Sequence, residues 1–206
     1  MIDRGTALDL LREYCSEEVL IKHSLATEAV MRALAAKMGH DPESWGIAGL
    51  LHDLDYDETK GDPARHTLRT EEILQKRGFE EEIIDAIKAH NAEALHMKRE
   101  KPIHFAVTSA EAITGLIVAT TLVYPDKRIA GVKPSSIVKR MKEKGFARGV
   151  RRDAIKECEK LGLSLEEFAD LSLRAMQGDR RPDWFIRLTE GVFLYMIKVL
   201  IIRGIS

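Results

Sequence analysis

With 206 residues, 45% of them hydrophobic, the chain can bury roughly 70% of its unfolded surface and needs neither disulfides nor a structural metal to fold. A charged fraction of 32% beside that apolar content excludes a disordered polymer, and a net charge of -1 excludes a global attraction to nucleic acid or anionic lipid. Cys15 and Cys158, the only cysteines, are too few for a disulfide framework and point to a reducing compartment.

Helical periodicity dominates the pattern, and no run of alternating strand residues interrupts it. Thr6 is expected to cap a first helix ending near residue 14, and Ser16 a longer second one. Along the second helix Val19, Leu20, His23, Ala26, Thr27, Val30, Leu34 and Met38 form a stripe at three- and four-residue steps, and Gly39 ends it. Asp41-Pro42 supplies a cap followed by proline at the first helical position. The third helix carries Trp45, Ala48, Gly49 and Leu51 and delivers His52-Asp53 near its C-terminal end. A polar loop containing Gly61-Asp62-Pro63 follows. His66 opens a helix that Gly78 stops; residues 80–89 form another, with His90-Asn91 at or just past its end. Pro102 begins a long apolar helix that Tyr124-Pro125 breaks.

Beyond Pro125 the composition changes. Residues 127–152 hold ten Lys or Arg against one acid, Glu143. Helix starts are expected at Pro134-Ser135-Ser136, near Val150, and at Ser164, where Glu166 and Glu167 suit the first turn. Pro182 precedes a final apolar helix. The fold class is therefore all-α. Residues 1–125 form a helical core, and 126–206 form a basic then apolar extension packed on the same unit. Residues 112–124 are too short to span a bilayer, and 191–205 are short and contain Lys198, so no membrane segment is expected. The first residues lack the apolar core of a signal peptide, and a cytoplasmic location is expected.

The chemistry concentrates in His23, His52, Asp53, His66, His90 and Glu111. Imidazole and carboxylate are the side chains that hold divalent Mn, Fe, Co, Ni or Zn. A cation so held, with open positions, activates water and stabilises charge on a phosphoryl group. Singly, each residue has a plainer reading. His23 suits a satisfied core histidine, His66 a helix cap, and His90 a partner for a helix dipole. Asp53 is the more telling residue, because a carboxylate approached through the apolar run Gly46-Ile47-Ala48-Gly49-Leu50-Leu51 needs a cation or donors.

Together these residues resemble the HD superfamily of metal-dependent phosphohydrolases, whose pattern is a histidine, a later His-Asp doublet and a distal aspartate, often with histidines between. Leu50-Leu51-His52-Asp53-Leu54-Asp55 and Ala86-Ile87-Lys88-Ala89-His90-Asn91 carry the resemblance, which covers residues from about 18 to 125. The stretch Thr114-Gly115-Leu116-Ile117-Val118-Ala119 into the basic region is similar to bacterial HD proteins with a helical extension. The resemblance implies an HD-domain helical bundle with additional C-terminal helices. It also implies that His23, His52 and Asp53 hold one ion, with Glu111 completing its shell. Asp53 would bridge to a second ion on His66 and His90. Two positions depart from the family: Glu111 stands where aspartate is usual, and Asn91 where many two-metal relatives carry histidine.

Asp53 and Asp57 are the candidate catalytic carboxylates, with Asp55 and Glu58 nearby; the acids after the doublet otherwise read as solvated loop residues. Lys88, Asn91, Lys133 and Lys139 are candidates for binding substrate. Lys133 and Lys139 belong to a basic surface with Lys127, Arg128, Arg140, Lys142 and Arg148, which otherwise reads as a solvated helix face. The expected substrate is a small phosphorylated molecule such as a nucleotide. Nucleic acid is not an expected partner, and a homodimer through the C-terminal helices is. Two other readings share the scaffold: a di-iron oxygenase, which needs a full two-metal shell, and a non-catalytic metal-containing binding module.

Overall fold

The computed structural model describes residues 2–178, and among these every regular element is helical. The final apolar helix expected after Pro182, including Trp184 and the dimer-forming face at 191–205, lies outside the described residues.

Capping chemistry sets most of the boundaries. Helix α1 (Arg4–Tyr14) is capped by Asp3, whose carboxylate accepts the Thr6 N–H at 3.0 Å. Thr6 is therefore a donor to the cap and not the cap itself. Helix α2 (Glu18–Met38) follows Glu17; Ser16, expected to cap it, donates its N–H and hydroxyl to Asp57 at 2.8 and 3.0 Å instead. A carboxylate from a short helix distant in the chain outcompetes the local helix for those donors. Gly39 ends α2 in the left-handed region at φ 75°, a conformation glycine adopts without penalty. Asp41 caps α3 (Pro42–Leu51) through the N–H groups of Glu43 and Ser44.

Helices α2 and α3 approach backbone to backbone because glycine allows it. A Cβ at Gly49 would stand 2.8 Å from Met31 Cγ and 3.0 Å from the Thr27 carbonyl oxygen; one at Gly46 would stand 2.7 Å from Arg32 Cγ. The pairs Gly46–Arg32, Gly49–Thr27 and His52–His23 climb one helix while descending the other, so the two run antiparallel. One turn beyond the Gly49–Thr27 contact, His52 meets His23.

After α3 the chain makes the short helix α4 (Tyr56–Thr59), then α5 (Leu68–Lys76), α6 (Glu81–His90) and α7 (Ala92–Leu95). His66 does not open α5 as expected. Thr67 intervenes with φ 72°, an unusual conformation for a β-branched residue, and α5 begins only at Leu68. Helix α8 (Pro102–Leu122) is the spine of the fold, packing against α2, α3 and α6. By length and composition α8 could cross a membrane, but 83% of its most apolar window is buried inside the protein, as a core helix requires. Its buried hydroxyls are satisfied within the helix: Thr108, Thr120 and Thr121 each donate to the carbonyl four residues back.

The remaining helices, α9 (Pro134–Lys142), α10 (Arg152–Lys156) and α11 (Leu165–Gly178), pack on α8, and α11 also on α2. One continuous apolar core runs from Ala7 to Met176 and includes Trp45. Ser164 and Glu167 form a reciprocal capping box at the start of α11. The helix expected near Val150 starts at Arg152, whose guanidinium donates to the carbonyls of Met141, Glu143, Phe146 and Val150. It thereby folds the loop after α9 around itself. Arg140 lies over the Phe146 ring and pairs with Glu143. Lys127, Arg128, Lys133, Lys139, Lys142 and Arg148 are exposed, so the basic segment splits into structural and solvent-facing charges.

Candidate metal centre

Two groups of metal-ligand side chains share one carboxylate: His23, His52 and Asp53 in the first, Asp53, His66 and His90 in the second. Asp53 is almost wholly buried and sits just past the end of α3. Its Oδ2 lies 3.5 Å from His52 Nε2 and 3.9 Å from His23 Nε2. Its Oδ1 lies 3.2 Å from His66 Nε2 and 3.5 Å from His90 Nε2. Across each group the imidazole Nε2 atoms face each other, at 3.2 Å for His23–His52 and 3.0 Å for His66–His90.

The outward hydrogen bonds decide where the imidazole protons are. His52 Nδ1 is 2.8 Å from the Gly49 carbonyl and His90 Nδ1 is 2.6 Å from the Ile87 carbonyl. A carbonyl can only accept, so both Nδ1 atoms carry hydrogen. His66 Nδ1 donates in the same way to Asp55 Oδ1 at 2.8 Å. His23 Nδ1 meets Thr114 Oγ1 at 3.3 Å, and the Thr114 hydroxyl hydrogen is already donated to the Glu111 carbonyl at 2.7 Å. Every neutral imidazole in the cluster therefore presents a bare Nε2 lone pair toward Asp53. Four such lone pairs and two carboxylate oxygens in a buried volume repel one another unless something positive stands between them. This donor set fits divalent transition-metal ions, with the outward bonds fixing tautomer and ring orientation.

A proton can partly play the same role. Burial works to lower the pKa of His66, but its bonds to Asp53 and Asp55 outweigh burial and lift it to about 9. In His90 burial prevails over the bond to Asp53, and the value falls to about 4.

Of the residues singled out in the sequence, His23, His52, Asp53, His66 and His90 come together. Glu111 belongs to neither group; its Oε1 accepts from Arg151 Nη2 at 3.1 Å. Asp57 is held by Ser16. Lys88 forms an ion pair with Glu71 at 2.7 Å. Asn91 donates its amide to the carbonyls of Pro63 and His66 at 2.8 and 2.9 Å, which ties the loop carrying His66 to the end of α6. Lys133, just before α9, and Lys139 on it are exposed.

The solvated reading of Asp55 is wrong. It is buried, and besides His66 its Oδ2 accepts the Thr70 N–H at 3.0 Å. Sequence reasoning also passed over Thr114, Arg99 and Arg151. The one available signal was for Asp55: lying two residues after Asp53 in a run with apolar Leu54 between them, it shares the doublet's buried setting.

Residues 20–114 match the family model for the HD domain. The chain is similar to ribonuclease Y 2 of Levilactobacillus brevis, at 30% identity over 96 residues, which are 47% of this chain and 17% of that protein. No solved structure matches it. Over residues 20–114 the chain carries an HD domain, the all-α domain of the metal-dependent phosphohydrolase superfamily.

Proposed function

We propose that the chain is a divalent-metal-dependent phosphohydrolase acting on a small phosphorylated molecule, with nucleotides as the leading class. The observation that carries this reading is the convergence of four imidazole Nε2 atoms on the two oxygens of one buried carboxylate. Cations held there would supply Lewis acidity at phosphoryl oxygens and make water more acidic near neutral pH.

The chain's own residues prepare for that chemistry. His23, His52 and Asp53 Oδ2 would hold one ion; Asp53 Oδ1, His66 and His90 would hold a second. Asp55 keeps His66 Nε2 basic by taking its Nδ1 hydrogen, and Asn91 fixes the loop that carries His66. Exposed Lys133 and Lys139, with the other basic side chains after α8, would raise the local concentration of an anionic substrate, an effect that salt weakens.

Similarity to a ribonuclease over 96 residues supports hydrolysis of a phosphoric ester, and it favours a second reading in which the ester is an RNA phosphodiester. Purified protein loaded in turn with Mn, Fe, Co, Ni and Zn, offered phosphomonoesters, nucleotides, cyclic nucleotides and a short single-stranded RNA, tests both readings. Hydrolysis that disappears in Asp53→Ala is the expected result, and the substrate cleaved decides between them. No turnover anywhere in that panel would overturn the phosphohydrolase reading, whereas substrate-dependent oxygen consumption with iron would replace it by the oxygenase.

A further inference from the structure

Glu111 is a buried carboxylate with only 6% of its side chain exposed, and Arg151, arriving from the segment after α8, is its ion-pair partner at 3.1 Å. The same Nη2 of Arg151 also donates to the His90 carbonyl at 3.2 Å, the backbone of a residue in the donor cluster. Nη1 reaches Glu93 at 3.3 Å. Glu93 in turn takes both terminal nitrogens of Arg99, whose Nε donates to the Ala89 carbonyl and Thr108 Oγ1 at 2.8 Å each. A chain of alternating charges, Glu111–Arg151–Glu93–Arg99, is thus fastened to the C-terminal end of α6.

The backbone of Glu111 is linked to the metal centre through Thr114. Thr114, one turn further along α8, takes the Glu111 carbonyl and touches His23 Nδ1. Glu111 stands one turn along α8 from the residue that touches His23, so taking the guanidinium away would leave a buried, uncompensated carboxylate on the helix that borders the His23–His52–Asp53 group. The present arrangement is also imperfect for Arg151. Its Nε is buried without an acceptor, which lowers the cost of opening the pair.

We propose that Arg151 is a positioning residue of the metal centre: it draws the Glu111 carboxylate into an ion pair at the His90 carbonyl and so keeps it out of the His23–His52–Asp53 group. The extension after α8 thereby sets how many protein donors an ion meets. This rests on the metal-centre reading above, and the test reads metal affinity without catalysis.

Mn²⁺ and Zn²⁺ affinities are measured on the full chain by competition with a chelating dye. Glu111→Gln is expected to stay within about twofold of the parent, because Glu111 is already engaged. Arg151→Met releases the carboxylate and tightens binding roughly tenfold, the scale of change that groups beside a ligand produce. Arg151→Lys, which keeps a charge beside Glu111, tightens it less. The double variant Arg151→Met/Glu111→Gln returns to the parent value. Glu93→Gln removes the other anchor of the clasp without touching Glu111, and it leaves affinity unchanged.

Tenfold weaker binding by Glu111→Gln alone would overturn the proposal, since Glu111 would then be a ligand already. So would equal shifts in Glu93→Gln and Arg151→Met, which would make the clasp merely structural. Should Arg151→Met fail to fold, an Arg151→Lys protein with parental affinity overturns it as well. A parent that binds neither ion removes the metal centre and this proposal together, whereas a binding parent with an inert Arg151→Met removes only the proposal.

Discussion

Replacing Asp55 with asparagine changes one atom's hydrogen-bonding sense in a buried position, and the structure says what must follow. Asp55 Oδ1 accepts from His66 Nδ1 at 2.8 Å and Oδ2 from the Thr70 N–H at 3.0 Å. A carboxamide has one oxygen to serve those two donors. Turning its NH₂ toward Thr70 sets donor against donor in a buried site and costs about 1–3 kcal/mol. Turning it toward His66 satisfies both contacts, provided His66 Nδ1 gives up its hydrogen. That hydrogen moves to Nε2, which then donates to Asp53 Oδ1, 3.2 Å away. The fold survives, and the lone pair a second ion needs is gone. Outer partners of this kind change metal affinity roughly 10–100-fold, or about 1.4–2.7 kcal/mol. Elemental mass spectrometry and calorimetric Mn²⁺ titration should show Asp55→Asn losing the ion on His66 and His90 while retaining the one on His23 and His52. Parental affinity at both groups, in a variant with unchanged helicity, would refute the tautomer argument.

Further outcomes follow from the same geometry. Asp53→Ala should abolish both ions because both groups share its carboxylate, whereas His52→Ala should remove only the first and His66→Ala only the second; ions counted per chain decide the matter. Gly49→Ala forces a methyl against the Thr27 carbonyl and should destabilise the protein by about 1–3 kcal/mol, which thermal denaturation would read as a fall in Tm. Glu93 is held down to about 2 from its ordinary 4.5, chiefly by its bond to Arg99. Its contribution is therefore fully present above pH 4.5 and fades as pH falls through about 2. Because the carboxylate is well exposed, the effect is under about 1 kcal/mol. Acid titration of stability should be correspondingly flatter in Glu93→Gln, and an identical slope would contradict the assignment.

Much of the fold is written in short-range chemistry. Asp41-Pro42, Gly39, Gly78 and Pro102 act within one turn, so the helices they start and stop were readable from neighbours alone. Where a distant group competed, local reading failed. Ser16 went to Asp57 across the chain instead of capping α2, and Thr67 adopted a left-handed turn that no local preference favours.

The candidate site divides along the same line. Histidine and aspartate placed at helix ends and on one helix face were visible in order along the chain, and they are the residues that converge on Asp53. Asp55, Thr114 and Arg151 act through contacts 11, 91 and 40 residues away, to His66, His23 and Glu111. Periodicity reports which face of a helix is apolar, and cap residues report where a helix ends. Neither reports which side chain from another helix arrives opposite. The sequence by itself thus determined an all-α chain and the kinds of donor atom it carries. Only the tertiary packing, through the Gly49–Thr27 approach and the charged clasp on α6, decided that one carboxylate serves two groups and that Glu111 is held by Arg151.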